Sequence, residues 1–178
     1  NVPPKLRLDL LIGGKEYLRG EPLPLQKTAT PGCGTMDSLA EFLGQPKSRL
    51  AKSLLYLTPR GPVLAVVRAD FEAAPEKLSA FLKVPVYGLA GDRELAAAGL
   101  SAGSLSPIGL PPGVRVVVDD AVARSANLVY GANEPGFHFL NGNFGRDFES
   151  PEVADISLTR GEKICLQCGG TLEEIQAV

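Results

Sequence analysis

The sequence predicts an α/β (mixed α+β) protein, with helices packed around a mixed, largely antiparallel β-sheet. Apolar runs of strand length lie between short segments of helical periodicity. Two of these runs flank the turn signal TPRGP, which is typical of a β-hairpin. Helices and strands also follow one another without the regular βαβ order of a parallel sheet. The length of 178 residues fits one domain.

The N-terminal region predicts a linker followed by the first helix. Residues 1–27 are rich in proline, glycine and charge, which favours a linker or extension, with a short strand or hairpin around 6–18. The apolar residues of 36–43 recur at helical spacing behind the cap-type residue Thr35. Gly44 is expected to end this helix.

The next segment predicts a short helix and then a hairpin. Pro46 favours a second helix over 46–52, on which Arg49 and Lys52 would share a face. The apolar runs of 53–70, on either side of the turn signal, form the predicted hairpin.

Two further helices are expected over 74–83 and 91–100. The apolar face of the first is predicted to comprise Leu78, Phe81 and Leu82. The second is predicted to be capped by Asp92 and ended by Gly99.

The last third predicts a loop and three strands. Glycine, serine and proline dominate 101–113, which favours a loop. A buried strand is expected over 114–120, a half-buried one over 137–142, and a last one over 154–158.

Composition limits the classes of partner and compartment. A net charge of −2 gives no polycationic surface for nucleic acid, so any such contact must be local. The apolar runs are too short to span a bilayer, and the N-terminus does not resemble a signal peptide. An odd number of cysteines, three, favours the reducing cytoplasm. Because the chain does not begin with methionine, we expect a fragment or a processed product.

The cysteines predict no metal site. Cys165 and Cys168 form a C-x2-C pair, but tetrahedral structural zinc needs four ligands. The chain offers only Cys33 and His138 besides, both distant in sequence. We therefore expect no metal and no other cofactor.

Two features favour an anionic ligand. Lys47, Arg49 and Lys52 form a dense basic patch in an acidic chain, which indicates a phosphate contact. Gly103 and Pro107 bound a short loop whose backbone amides could form an oxyanion or phosphate nest. The alternatives are solvated side chains and a plain connecting loop.

His138 is the chain's single histidine, and its chemistry is open at this point. No serine or cysteine nucleophile motif accompanies it. It stands between Phe137 and Phe139 in a predicted strand, so it faces opposite to both rings. If the rings enter the core, His138 faces solvent or a cleft.

Five ordered segments together resemble a known family. They are TPGCGTMDSLAEFLGQPKSRLAKSLLYL, GSLSPIGLP, VVVDDAVARSANLVYGANEPGFHF, NGNFGRDF and VADISLTRGEKICLQCGG. In this order they resemble the editing insertion domain of bacterial prolyl-tRNA synthetase, within the YbaK-like and ProX-like aminoacyl-tRNA deacylases. The resemblance covers about residues 28–172, so we assign 28–178 to such a domain.

The resemblance implies three residues of a hydrolytic site. Lys52 matches the lysine that such domains place near the terminal adenosine of tRNA. Gly103 and Pro107 match the G-x-x-x-P loop whose backbone lines the site.

It also implies three residues that bind substrate. Thr30 and Asp119 match polar pocket residues, and His138 matches a histidine that shapes the amino-acid pocket. The chain departs from the pattern at Ser106, where glycine is common, and at Asp120, where a basic residue is common. The second change weakens the expected local attraction for RNA phosphate.

The implied activity is hydrolysis of alanine mischarged onto tRNA(Pro). The implied partners are the tRNA(Pro) acceptor end and the remainder of the synthetase in cis, with no membrane. Two alternatives stay open: a free-standing deacylase acting in trans on Ala- or Cys-tRNA(Pro), and a non-catalytic tRNA-binding module. Under the family interpretation His138 is a wall that sets pocket size, and not a base.

Overall fold

The structure is a computed structural model that describes residues 15, 17–159, 163–164 and 171–172. Most of the hairpin predicted around 6–18 and the C-x2-C pair at 165–168 lie outside these residues. None of the helices in the described part is long and apolar enough to cross a membrane.

Strands make up much of the described chain. They are β1 (Gln26–Ala29), β2 (Ala51–Thr58), β3 (Gly61–Arg68), β4 (Phe71–Ala73), β5 (Gly88–Leu89), β6 (Arg115–Asp119), β7 (Leu128–Gly131), β8 (Phe137–Gly142), β9 (Val153–Ala154), β10 (Ser157–Thr159), β11 (Lys163–Ile164) and β12 (Thr171–Leu172). The helices are α1 (Met36–Leu43), α2 (Pro75–Leu82), α3 (Asp92–Ala97) and α4 (Asp120–Ala123). A 3-10 turn spans Lys47–Arg49.

The sheets confirm the predicted mixed architecture. The central sheet has the order β5-β2-β3-β6-β9, antiparallel among its first three strands and parallel from β3 onward. A second, antiparallel sheet has the order β1-β8-β7. A bridge between Leu50 and Val129 joins this sheet to the start of β2. β4 pairs with β10, and β11 with β12.

Strand alternation builds a core on both faces of the central sheet. On β3, Leu64 and Val66 pack on the side that faces the second sheet, with Tyr130 and Leu128. The intervening β3 residues pack on the opposite side, against α2 and Ile156. The hairpin prediction for 53–70 is therefore confirmed, since β2 and β3 pair along their whole length.

Three of the predicted helices are confirmed as α1, α2 and α3, apart from two details. The first helix begins at the Thr35 cap and ends at Gly44, which adopts φ +60°. In α2, Phe81 is 38% exposed and lies outside the buried face. In α3, Gly91 is the cap, and its N–H donates to the Glu94 carboxylate, so the predicted Asp92 cap is wrong.

The helix predicted over 46–52 is also wrong. It shrinks to the 3-10 turn, and Lys52 lies in β2, opposite Val67 of β3. Pairing over eight residues of the hairpin outweighs a weak local helix signal. Arg49 and Lys52 therefore do not share a helical face.

Two boundaries differ from expectation. β1 begins inside the segment predicted as a linker, and it pairs with β8 so that Thr28 lies opposite His138. The strand predicted over 154–158 is two short strands, because β9 pairs with β6 whereas β10 pairs with β4.

Candidate functional site

A cleft opens where the outer edge of β2 lacks a neighbouring strand. Near the C-terminal end of β2, the carbonyls of Leu55 and Leu57 accept hydrogen bonds from the N–H groups of Ala90 and Tyr87, at 2.8 and 2.9 Å respectively. Alternate residues of a strand direct their backbone groups to the same edge. The N–H and C=O of Ser53 therefore face the same way, toward a gap in which no strand of the described chain pairs with it.

The cleft that fills this gap has a volume of about 310 Å³. This lies at the small end of the range for ligand pockets, roughly 300–1,000 Å³. Its lining comes from the start of α1, β2, the segment around β5, the loop after α3 and the second sheet, and includes Thr35, Lys52, Ser53, Leu89, Gly103, Leu105, Gly131 and His138.

Lys52 brings a positive charge to the cleft. Its ammonium lies 3.3 Å from the carboxylate of Glu72 on β4, and its side chain is 17% exposed. The half-exposed carboxylate holds the ammonium at the edge of the sheet, where an anionic ligand can compete for it.

The loop from Gly103 to Pro107 forms one wall. Gly103 lines the cleft with φ +78°, a backbone conformation that favours glycine. Ser104 and Ser106 are buried, and Ser106 Oγ accepts the Ile108 N–H at 3.1 Å. Pro107, at the end of the loop, is buried and does not line the cleft.

Gly131 allows this loop to approach the second sheet closely. A Cβ atom at Gly131 would lie 2.4 Å from the carbonyl oxygen of Leu105 and 2.5 Å from that of Ser104. Any side chain at the end of β7 would therefore push the loop away from the cleft.

His138 closes the cleft from β8. It is 4% exposed, and its Nδ1 lies 2.6 Å from the hydroxyl of Thr30, which is fully buried. Burial lowers the pKa of His138, so the imidazole is neutral at neutral pH. Phe139 packs against the core, whereas Phe137 lies under the Lys27 ammonium, 5.0 Å from ring centre to nitrogen.

Thr30 borders an adjoining cavity and does not line the main cleft. That cavity shares Gly34, Ala102 and Gly103 with the cleft. Its position behind His138 makes Thr30 a support of the wall.

Asp119 lies away from the cleft. Its carboxylate caps α4 through the Ala121 N–H and accepts the Ile156 N–H, each at 3.0 Å. The ammonium of Lys15 lies 3.1 Å from both Asp119 oxygens and 2.7 Å from Asp120 and from Asp155. Burial raises the pKa of Asp119, against the opposing charge of Lys15.

These three aspartates are close enough together to ligate a metal ion. The Lys15 ammonium already contacts all three carboxylates, so the cluster is an internal ion network. The structure thus separates Asp119 from the other predicted site residues.

Three of the predicted site residues lie in the cleft, and two further residues of the site, Gly131 and Glu72, were not predicted. Lys52, Gly103 and His138 all line the cleft. Gly131, at the end of β7, was overlooked although it stands in the same GANEPGFHF stretch as His138. Glu72 was overlooked because its strand pairing is not visible as a local signal.

A sequence profile of the aminoacyl-tRNA editing domain matches residues 30–148, which is more than half of the chain. The chain belongs to the aminoacyl-tRNA editing domain family. The match includes every predicted site residue, from Thr30 to His138.

The relatives of this editing domain include proline–tRNA ligases. The domain is 40% identical over 157 residues to the proline–tRNA ligase of Dehalococcoides mccartyi (strain ATCC BAA-2266). It is 41% identical over 156 residues to the proline–tRNA ligase of Pelobacter propionicus. These matches cover 88% and 86% of this chain but 27% of each ligase. The editing domain thus spans about a quarter of the length of these relatives, and the resemblance to an editing domain of prolyl-tRNA synthetase is confirmed.

A solved structure supports the fold. A crystal structure described as that of a candidate trans-editing enzyme for prolyl-tRNA synthetase matches with a TM-score of 0.63 at 17% identity. The match covers 89% of this chain and 99% of that chain. At this identity the likeness concerns the architecture alone.

Proposed function

We propose that this editing domain hydrolyses the ester that links mischarged alanine to tRNA(Pro), in cis with the rest of a prolyl-tRNA synthetase in the cytoplasm. The observation that carries the proposal is the small cleft at the open edge of β2. It brings a cation, loop amides and a buried imidazole together in a domain of the editing family.

The need for such a site follows from substrate size. A synthetic site shaped for proline cannot exclude the smaller alanine, since each missing methylene changes binding by only ~1–3 kcal/mol. A second site that admits alanine and rejects proline restores accuracy. A cleft of about 310 Å³ closed by a fixed side chain is suited to that second selection.

The proposed reaction needs an oriented water and donors for the oxyanion. Water attacks the ester carbonyl carbon, and the bond between that carbon and the ribose oxygen breaks. A proton from the water passes to the ribose oxygen, which leaves alanine and uncharged tRNA. We assign the oxyanion donors to the N–H groups of Gly103 and Leu105, because both residues line the cleft. A ribose hydroxyl of the terminal adenosine positions the water.

Lys52 and His138 have separate roles in this scheme. Lys52 binds a phosphate or ribose oxygen of the terminal nucleotide, and the ligand replaces Glu72 as its partner. His138 is held by Thr30 in a buried position, which suits a wall that limits side-chain size.

A free-standing trans-editing deacylase is the second candidate. It is favoured by the structural match that covers 99% of a candidate trans-editing enzyme. The in cis assignment is favoured by identities of about 40% to ligases, against 17% to that protein. A net charge of −2 provides few phosphate contacts, so we expect weak binding of tRNA with a shallow salt dependence. Such weak binding would fit an embedded origin.

The test is a deacylation assay with Ala-, Cys- and Pro-tRNA(Pro). We expect rapid release of alanine, little release of proline, and the same rates after exhaustive chelation, because backbone amides supply the oxyanion donors. Release of no amino acid by the folded domain would reject hydrolysis and favour a non-catalytic tRNA-binding module.

A further inference from the structure

We infer that Asn133 is a positioning residue that fixes the 103–108 loop in the conformation that presents its free amides to the cleft. The inference rests on the proposed hydrolytic function. Asn133 lies in the turn between β7 and β8, five residues before His138.

Asn133 grips the loop through both backbone and side chain. Its N–H donates to the carbonyl of Ser104 at 2.7 Å. Its side-chain oxygen Oδ1 accepts the N–H of Ser106 at 2.8 Å. The side-chain nitrogen Nδ2 donates to the carbonyls of Ser106 and Ile108, at 3.1 and 3.0 Å. Four hydrogen bonds thus join one turn residue to three loop residues.

The residue type is well suited to this position. Asn133 has φ +52°, in the left-handed region that asparagine tolerates better than most residues. Its side chain uses one acceptor and both donor hydrogens on the loop, which only a carboxamide can do. Aspartate has nearly the same shape but lacks the two donors.

The grip determines which loop amides remain for a ligand. The Ser106 N–H is engaged by Asn133, and the Ile108 N–H is engaged by Ser106 Oγ. Within the part of the chain that the structure describes, no protein group accepts a hydrogen bond from the N–H of Gly103 or of Leu105. The hydrogen bonds of Asn133 therefore leave the N–H groups of Gly103 and Leu105, the two residues of the 103–108 loop that line the cleft, as donors for a ligand.

The β7–β8 turn also links the loop to the wall of the cleft. Gly131 and His138 lie opposite each other in the sheet, and the loop carbonyls pack against Gly131. The oxyanion donors and the amino-acid wall are consequently held by one hairpin.

The decisive variant is Asn133→Asp, assayed on Ala-tRNA(Pro). It keeps the acceptor for Ser106 but loses both donors and places a negative charge beside two carbonyls. We expect kcat to fall by about tenfold or more, with KM changed less than about twofold, because the loss affects the transition state. The ratio of variant to wild-type rate should rise as the pH falls and the new carboxyl is protonated, since that restores one donor.

The matched control is Asn141→Asp. Asn141 also has a positive φ, +59°, and its Nδ2 also donates to a backbone carbonyl, that of Pro24. It does not line the cleft. The control should keep wild-type kcat and show no recovery at low pH.

A second variant covers the case in which Asn133→Asp does not fold. Asn133→Gly keeps the backbone conformation and removes only the side chain. We expect lower kcat together with faster amide hydrogen exchange at Ser106, whose N–H loses its acceptor. Wild-type kcat in either folded variant, or loss of kcat without the faster exchange in Asn133→Gly, would overturn the inference. Failure of the wild-type domain to hydrolyse Ala-tRNA(Pro) would instead reject the proposed function.

Discussion

The hydroxyl of Thr30 lies 2.6 Å from Nδ1 of His138, and both side chains are buried. One residue follows β1 and the other lies in β8, so this contact ties the segment after β1 to the wall of the cleft. A wall that selects by size must not move, and a buried hydrogen bond to a neutral imidazole supplies that rigidity.

Thr30→Val should therefore loosen amino-acid selection. Valine keeps the shape but leaves Nδ1 without its partner, which costs roughly 1–3 kcal/mol of stability. We expect the ratio of Ala- to Pro-tRNA(Pro) hydrolysis to fall. Thr30→Ser keeps the hydroxyl and is the control. Urea denaturation and the two deacylation rates measure the effects, and an unchanged ratio in Thr30→Val would argue against the support role.

Lys52→Ala should remove most deacylation without unfolding the domain. The loss of a charge-assisted contact, about 1.5–3 kcal/mol, corresponds to roughly a tenfold or greater fall in kcat/KM. Lys77→Ala is the control, because Lys77 also pairs with a carboxylate, that of Asp155, but does not line the cleft. Wild-type hydrolysis by a folded Lys52→Ala variant would contradict the assignment.

Lys15→Met should destabilise the domain while sparing its chemistry. Removal of one partner from a buried ion pair costs roughly 3–5 kcal/mol, since the buried Asp119 carboxylate is left without its cation. We expect a lower denaturation midpoint, and normal kcat in the folded fraction because Asp119 lies outside the cleft. A loss of kcat in fully folded protein would return Asp119 to the substrate site.

The Arg115–Glu152 pair should contribute an acid-sensitive component of stability. The hydrogen bond from Arg115 lowers the pKa of Glu152 below its ordinary value of 4.5. The native state therefore prefers the carboxylate. This stabilisation is fully present above the ordinary pKa of 4.5 and is lost as the pH falls through the lower native pKa of Glu152. Both side chains are partly exposed, so solvent screening limits it to about 1 kcal/mol or less. Denaturation at several acidic pH values should show a shallower decline for Glu152→Gln, and an unchanged decline would refute the assignment.

Local patterns predicted the fold well where the chain folds on local signals. The β2–β3 hairpin has a turn signal between two apolar runs, and α1 has a cap and a terminal glycine. Lys52 was placed on a helix because its neighbours carry a helical pattern, yet strand pairing with Val67 decides its conformation. Such pairing depends on the whole sheet and cannot be predicted from the local sequence of residues 46–52.

Residues of the site could be predicted where they stand in sequence motifs. They could not be predicted where the site depends on contacts between distant segments of the chain. Gly103 and His138 stand in motifs, and the structure places both in the cleft. Asp119 also stands in a motif, but its partner Lys15 lies 104 residues earlier in the chain. That long-range ion contact, which the local sequence does not reveal, engages the carboxylate outside the cleft.

The most direct test of the account is the rate of hydrolysis of Ala-tRNA(Pro) and Pro-tRNA(Pro) by His138→Ala, with the fold verified. If His138 is a wall, alanine loses positioning contacts and its release slows, whereas the larger proline ring now enters and its release accelerates. If His138 were the general base, both rates would fall together, and wild-type hydrolysis would follow one ionisation near or below the ordinary histidine pKa of 6.5. Slower release of alanine together with faster release of proline is the result predicted here, and an equal loss on both substrates would contradict it.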